Sequence, residues 1–332
     1  MTKQRCAIKA LSCLVAALAM AGWAARPLSA LDLPRFFSHR NLSEQAAAEM
    51  RAEEKISEEL DQSADYRSRY QSIQNRPIRL QSHVKPGEEL VFQAKWRGLP
   101  AGTLRLAAKR LTRLKNRPVF VFELQVTSND FMGAFYPVDN SVISYADAND
   151  GHSYLLRRNI SERHRRYKDR LEFKYDSRLE NGLPDPVSRY SLVDELGREE
   201  AGAPFPIPGA MHDMVSSIYC LRGMDLRKIG DSQSFLLGSR QKPVIASVTV
   251  VAEEQLNLPG LGKFACLVVE PSANGANLSG HPLATRGGEK VWLEKHCRIP
   301  LQVSAELPWP VGQVIASLVN AEKCDLGRYA LK

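Results

Sequence analysis

The chain has 332 residues, 44% of them apolar, enough for one large domain or two small ones around a sizeable core. Its formal net charge of +8 is concentrated at the start: Lys3, Arg5, Lys9 and Arg26 have no acidic counterpart in residues 1–30. The remainder carries 41 basic against 37 acidic side chains, too even a balance to argue for a nucleic-acid partner.

Residues 1–30 open with a basic stretch, continue as an uncharged apolar run from Ala10 to about Ala25, and close on small residues at Gly22-Trp23-Ala24 or Leu28-Ser29-Ala30. A basic start, a short apolar run and a small-residue exit predict a secretory signal peptide. The alternative is a membrane anchor, but a span needs roughly 20 apolar residues and this run is shorter. The expected location is the periplasm or cell envelope. Residues 31–85 read as a polar helical leader and linker. Asn41 stands as N-cap with Glu44 three places on. The stretch 41–75 has no Gly or Pro, and its apolar rows are offset, giving a narrow, broken stripe. It is either a solvated helix or a contact arm for a protein partner.

From residue 86 the period changes to two. Segments 89–95, 102–109, 119–127 and 136–144 alternate and are rich in β-branched and aromatic residues. Turn signals punctuate them, such as Arg97-Gly98 and Lys115-Asn116. In 163–175, Tyr167, Leu171, Phe173 and Tyr175 share one face, and Arg166, Lys168, Arg170, Glu172 and Lys174 the other, which predicts a strand with one wet face. Residues 177–208 read as loop-rich. A helix is predicted over 210–221, stopped by Gly223, with Met211, Met214, Val215, Ile218 and Leu221 facing a sheet. Strands resume at 232–237, 244–252, 262–269, 290–293, 301–307 and 314–321. The fold expected for 86–325 is mainly β: a curved antiparallel sheet or half-open barrel with one packed helix.

Chemical motifs are sparse. Ser216 and Ser217 lie near His212 and Asp213, but successive helical residues diverge by about 100° and no nucleophile elbow is present. Asp213, Ser216, Tyr219 and Arg222 read instead as a structural motif tying the helix to the sheet. The histidines form no His-Glu-x-x-His and no close pair, so no metal, cofactor or catalytic residue is expected. Cys220, Cys266, Cys297 and Cys324 remain after the leader; one or two disulfides and buried free thiols are both open, and spacing does not choose. The basic run Arg157-Arg158 and Arg163-His164-Arg165-Arg166 is either a solvated strand face or a contact for phosphate head groups. The long Gly/Asn-rich stretch 272–289 reads as a binding loop.

An ordered set of short patterns resembles a bacterial envelope family, domain-of-unknown-function family 3108. The patterns are Gly87-Glu88-Glu89-Leu90 with Trp96, Gly98 and Ala101-Gly102; Tyr136, Val138, Asp139 and Ser144; Asp213 to Arg222; Gly262-Lys263-Phe264-Ala265-Cys266; and Trp292-Leu293 with Arg298-Ile299-Pro300 and Val311-Gly312. Met214 and Cys220 depart from the helix pattern, which has proline and tyrosine there, and Lys295-His296 replace an acidic turn. The resemblance implies a secreted, mostly antiparallel β protein and brings no activity. The function expected is non-enzymatic: a groove between helix and sheet holding a hydrophobic ligand or the acyl chain of a lipidated partner. Trp96, Trp292, Met214 and Ile218 are its candidate lining residues. The alternatives are an interaction scaffold with a filled core, and a hydrolase without a recognisable motif.

Overall fold

The computed structural model describes residues 78–331, apart from 79, 81–82, 135, 164, 176–186, 195–196, 203–204, 208, 239–243, 275–288 and 308–311. The predicted signal peptide, the 41–75 helix and most of the 272–289 loop lie outside the described residues.

Sixteen strands form one sheet, counted over the described residues. They are β1 (Glu88–Trp96), β2 (Leu99–Leu114), β3 (Arg117–Ser128), β4 (Asp139–Asp147), β5 (Ser153–Glu162), β6 (Arg165–Lys174), β7 (Val187–Asp194), β8 (Glu199–Ala201), β9 (Phe205–Pro206), β10 (Met211–His212), β11 (Ser232–Leu237), β12 (Val244–Leu258), β13 (Gly262–Asn274), β14 (Lys290–Glu294), β15 (Pro300–Leu307) and β16 (Gly312–Glu322). Two helices interrupt them, α1 (Asp130–Gly133) and α2 (Ser216–Gly223), and a 3₁₀ turn follows at Leu326–Tyr329.

The strands run as a meander in two series. β1 to β8 pair consecutively, β9 adding to β7, and β10 to β16 pair consecutively; the antiparallel β1–β16 ladder joins the two series. Tight hairpins set the register. Arg97-Gly98 and Lys115-Asn116 both have positive φ at the two turn positions, the backbone of a two-residue turn whose twist matches its strands. The pair β10–β11 is parallel, because the chain between them is occupied by α2.

The sheet curls until its ends meet without a ladder. Gly238, just past β11, sits so close to the Phe173 ring of β6 that an added Cβ would lie 2.3 Å from Cζ. Beside it the backbone N–H of Met211 donates to Tyr175 Oη at 3.1 Å, and that hydroxyl donates to the Ser153 carbonyl at 3.0 Å. The result is a mainly β, nearly closed barrel with α2 packed inside.

Within the loop-rich stretch 177–208 the short strands β7, β8 and β9 form; their polar, Pro-interrupted sequence suits an edge. Two expectations are corrected. Residues 153–162 form β5, the strand that carries Arg157 and Arg158. Arg158 is not a surface cation: it is buried and grips Asp169 of β6 through two hydrogen bonds, Nε to Oδ1 at 2.7 Å and Nη2 to Oδ2. The helix is also shorter than 210–221, because Met211 and His212 are drawn into the sheet as β10.

The closure makes a prediction. Gly238→Ala should destabilise the protein by about 1–3 kcal/mol in urea unfolding, as overpacking of a closed seam does, and Phe173→Leu in the same chain should recover part of that loss. An unchanged midpoint for Gly238→Ala would mean that the seam opens freely.

Candidate functional site

Helix α2 lies in the barrel with its polarity inverted. Ser216, Ser217, Tyr219, Cys220 and Arg222 are buried, whereas Ile218 and Leu221 are only partly covered. Of the predicted stripe, Met211, Met214 and Val215 are buried, and Ile218 and Leu221 are partly buried against strand residues. The polar side is buried as well, because the strands supply partners for much of it.

Asp213 is wholly buried at the helix entrance. Its Oδ2 accepts from Ser144 of β4 and Ser153 of β5, both at 2.5 Å, and its Oδ1 accepts from the N–H groups of Val215 at 2.7 Å and Ser216 at 2.8 Å. Burial pushes the carboxyl above its ordinary range while these donors pull it back. Ser216 Oγ accepts from the Asp213 N–H at 2.9 Å, so this serine is engaged in the turn.

At the other end Arg222 binds Glu88 of β1 through both guanidinium Nη atoms and also donates to the His83 carbonyl. Both side chains are about 2% exposed or less. Tyr219 stacks on Phe122 of β3, with ring centroids 3.8 Å apart and planes 13° apart. The chain just before β1 joins this packing: Leu80 is fully buried, and its N–H donates to Asn149 at 2.8 Å.

Cys220 and His212 form a buried contact, Sγ to Nδ1 at 2.9 Å, and the same nitrogen lies 3.0 Å from the Gly151 carbonyl. Burial lowers His212 to about 4 and raises the thiol well above its ordinary value. The pair is neutral, and thiolate chemistry needs the opposite shifts. Cys220, Cys266, Cys297 and Cys324 are all free thiols, and burial raises Cys266 to about 12.

Asp147, Asp150 and His152 bring ligand-type atoms within 4.8 Å of one another at the β4–β5 turn, an Asp-x-x-Asp-x-His spacing absent from the motifs considered above. Those atoms already serve the turn. Asp147 accepts from the Asn149 N–H at 2.8 Å and from Tyr154 Oη at 3.1 Å, and His152 Nδ1 lies 2.6 Å from Asp150 Oδ1.

The partly covered side of α2 faces a narrow apolar slot. Met214, Ser217, Ile218 and Leu221 form one wall. Phe92, Leu104, Leu106 and Ala316 form another from β1, β2 and β16, and Phe235, Val248, Val291 and Val303 face them from β11, β12, β14 and β15. Pro271, Pro300 and Glu289 complete the lining. The slot opens to solvent on one side, and its cavity volume is about 60 Å³.

Of the candidate lining residues, Met214 and Ile218 are in this wall, and the two tryptophans are elsewhere. Trp292 alternates with the slot-facing Val291 on β14, so it points to the other face, where its Nε1 donates to Glu254 at 2.8 Å. Trp96 ends β1 beyond Phe92, with the Arg97 guanidinium 5.7 Å from its ring.

Sequence reading missed Glu289. Its Oε2 is buried with no hydrogen-bond partner, and burial raises the carboxyl to about 7. A lone acid beside a strand gives no sequence signal of burial; the neighbours that desolvate it come from distant strands.

Two predictions follow from this chemistry. Arg222→Ala leaves the Glu88 carboxylate buried without its partner and should cost about 3–5 kcal/mol, with Glu88→Gln in the same chain recovering much of it; equal melting of Arg222→Ala and parent would refute the tie. For Glu289 the folded-state value lies above the unfolded one of 4.5, so its penalty is absent below that pH, grows towards about 7 and is complete above. Glu289→Gln should therefore stabilise the protein by up to about 3 kcal/mol at high pH and leave acid-side stability unchanged, as read from urea unfolding at both ends.

With the geometry in hand, comparison with known proteins is informative at the level of family. No curated protein matches the sequence. Two solved structures are similar over most of the chain at low identity. One is a β-barrel-like protein of the domain of unknown function DUF1849 from Brucella abortus, 11% identical with a TM-score of 0.40, covering 71% of this chain and 97% of its own. The other, from Bacteroides fragilis, is described as exported with a YmcC-like fold; it is 11% identical with a TM-score of 0.32 and covers 75% of this chain and 100% of its own. The family model described as "Protein of unknown function (DUF3108)" matches residues 91–319, from β1 into β16, and the chain belongs to that family.

Proposed function

We propose that this is a non-enzymatic envelope protein that holds the hydrocarbon chain of a hydrophobic ligand in the slot beside α2. The observation that carries the reading is the inverted helix. Its polar side is consumed by the barrel, and Ile218 and Leu221 are left bordering a space the protein does not fill. Cores are normally packed to crystal density, so an apolar space of this shape is a departure that needs a cause. Ligand pockets are lined mostly by apolar side chains, and the lining of this slot has that character.

The energetics suit a chain. Each buried methylene contributes about 0.8 kcal/mol, so ten would supply about 8 kcal/mol, micromolar binding before ordering costs. Two features support the non-enzymatic part. The Cys220–His212 pair is neutral and buried, and the hydroxyl of Ser216 is tied into the Asp213 turn. The envelope location rests on the basic, apolar and small-residue order of residues 1–30. No helix among the described residues is long and apolar enough to cross a membrane.

The test is an uncharged environment-sensitive dye, N-phenyl-1-naphthylamine, titrated into the protein and into Ile218→Trp, whose larger side chain should plug the slot. Bright, saturable uptake by the parent and at least about tenfold weaker uptake by the variant at equal thermal stability are expected. No uptake by the parent would favour an interaction scaffold with a filled core.

A further inference from the structure

If the slot holds a chain, its one ionisable lining residue selects the head of that chain. Glu289 and Ser217 are the only polar residues in the described lining, and Ser217 Oγ already donates to the Met214 carbonyl at 3.1 Å. Glu289 alone is left to meet a polar group. Its Oε2 is excluded from water and has no partner, a state that is unfavourable unless something bonds to it. Among the described residues no cation lines the slot.

We infer that the slot takes a single-chain lipid with an uncharged head that donates a hydrogen bond, an amide or a hydroxyl, and that Glu289 is the acceptor which discriminates against free fatty acids. An ionised Glu289 accepts from N–H or O–H, and the charge-assisted bond removes its unpaired state. A fatty-acid carboxylate brings the same charge to the same water-poor place, where two carboxylates cannot both remain ionised without penalty. The discrimination is thus built from repulsion of the wrong head as much as attraction of the right one. The carboxyl value of about 7 accords with a group held in such surroundings.

This inference rests on the slot reading above, and the experiment separates the two. Displacement of N-phenyl-1-naphthylamine by hexadecanamide, hexadecanol and palmitate is measured below their aggregation limits at about pH 8, where Glu289 is mostly ionised. The amide and the alcohol should displace the dye about tenfold or more better than palmitate. Glu289→Gln should improve palmitate and narrow that gap, and Glu289→Leu should weaken the amide and alcohol relative to the parent. Dye uptake with equal displacement by all three, or a gap unchanged in both variants, would overturn the role of Glu289 alone. Absence of dye uptake would overturn the slot itself and this inference with it.

Discussion

The structure depends on how a polar helix is satisfied inside an apolar barrel. A buried polar group is costly unless it finds a partner; most of the helix's polar side chains do, with Tyr219 Oη and Arg222 Nε left over. Here the partners come from strands far apart in sequence: Ser144 and Ser153 for Asp213, and Glu88 for Arg222. These contacts pin α2 at both ends, to β4 and β5 at its start and to β1 at its finish. The inner face of the sheet is thereby committed to a particular helix in a particular rotation. A fully apolar helix could turn about its axis with little change in energy; this one cannot.

That rotation decides what is left over. With the polar side locked against β1, β3, β4 and β5, the remaining side must face β11, β12 and β14 to β16, where the opposing residues are Phe235, Val248, Val291 and Val303. The slot is a by-product of the lock. Glu289 then stands out as a carboxylate that the same logic of partner supply leaves unserved.

Much of the architecture was legible from local chemistry. The hairpins at Arg97-Gly98 and Lys115-Asn116 need only turn residues and flanking alternation, and both are local properties. The strand 165–174 was visible for the same reason, yet its apolar face contains Asp169, which a periodic reading passes over. Only the cross-strand Arg158 makes that residue tolerable inside, and register is not written in one strand. β10 escaped notice because two residues joining a sheet edge have no period. Burial of the helix's polar side is not visible for a related cause: an apolar stripe is the whole buried face only if the polar stripe has no buried partners. Asp213, Tyr219 and Arg222 were recognisable as ties, but Ser144, Phe122 and Glu88 as the groups they tie to were not. Met214 and Ile218 follow from helix spacing, while the positions of Trp96 and Trp292 depend on strand ends and alternation.

The β1–β16 ladder has a consequence for how the chain reaches this state. Each series of strands grows mostly by antiparallel pairs of consecutive strands, the parallel β10–β11 pair excepted, and so forms from neighbours in sequence. Their junction pairs Glu89 with Glu322 and Trp96 with Val314, across nearly the whole described chain. Such distant closure is slow, because the entropy of a long loop is lost before any contact rewards it. Until the last strand is made, β1 keeps an open edge and the lock between Glu88 and Arg222 has no completed wall behind it. A chain with this topology completes its barrel only once its far end is available to pair with β1.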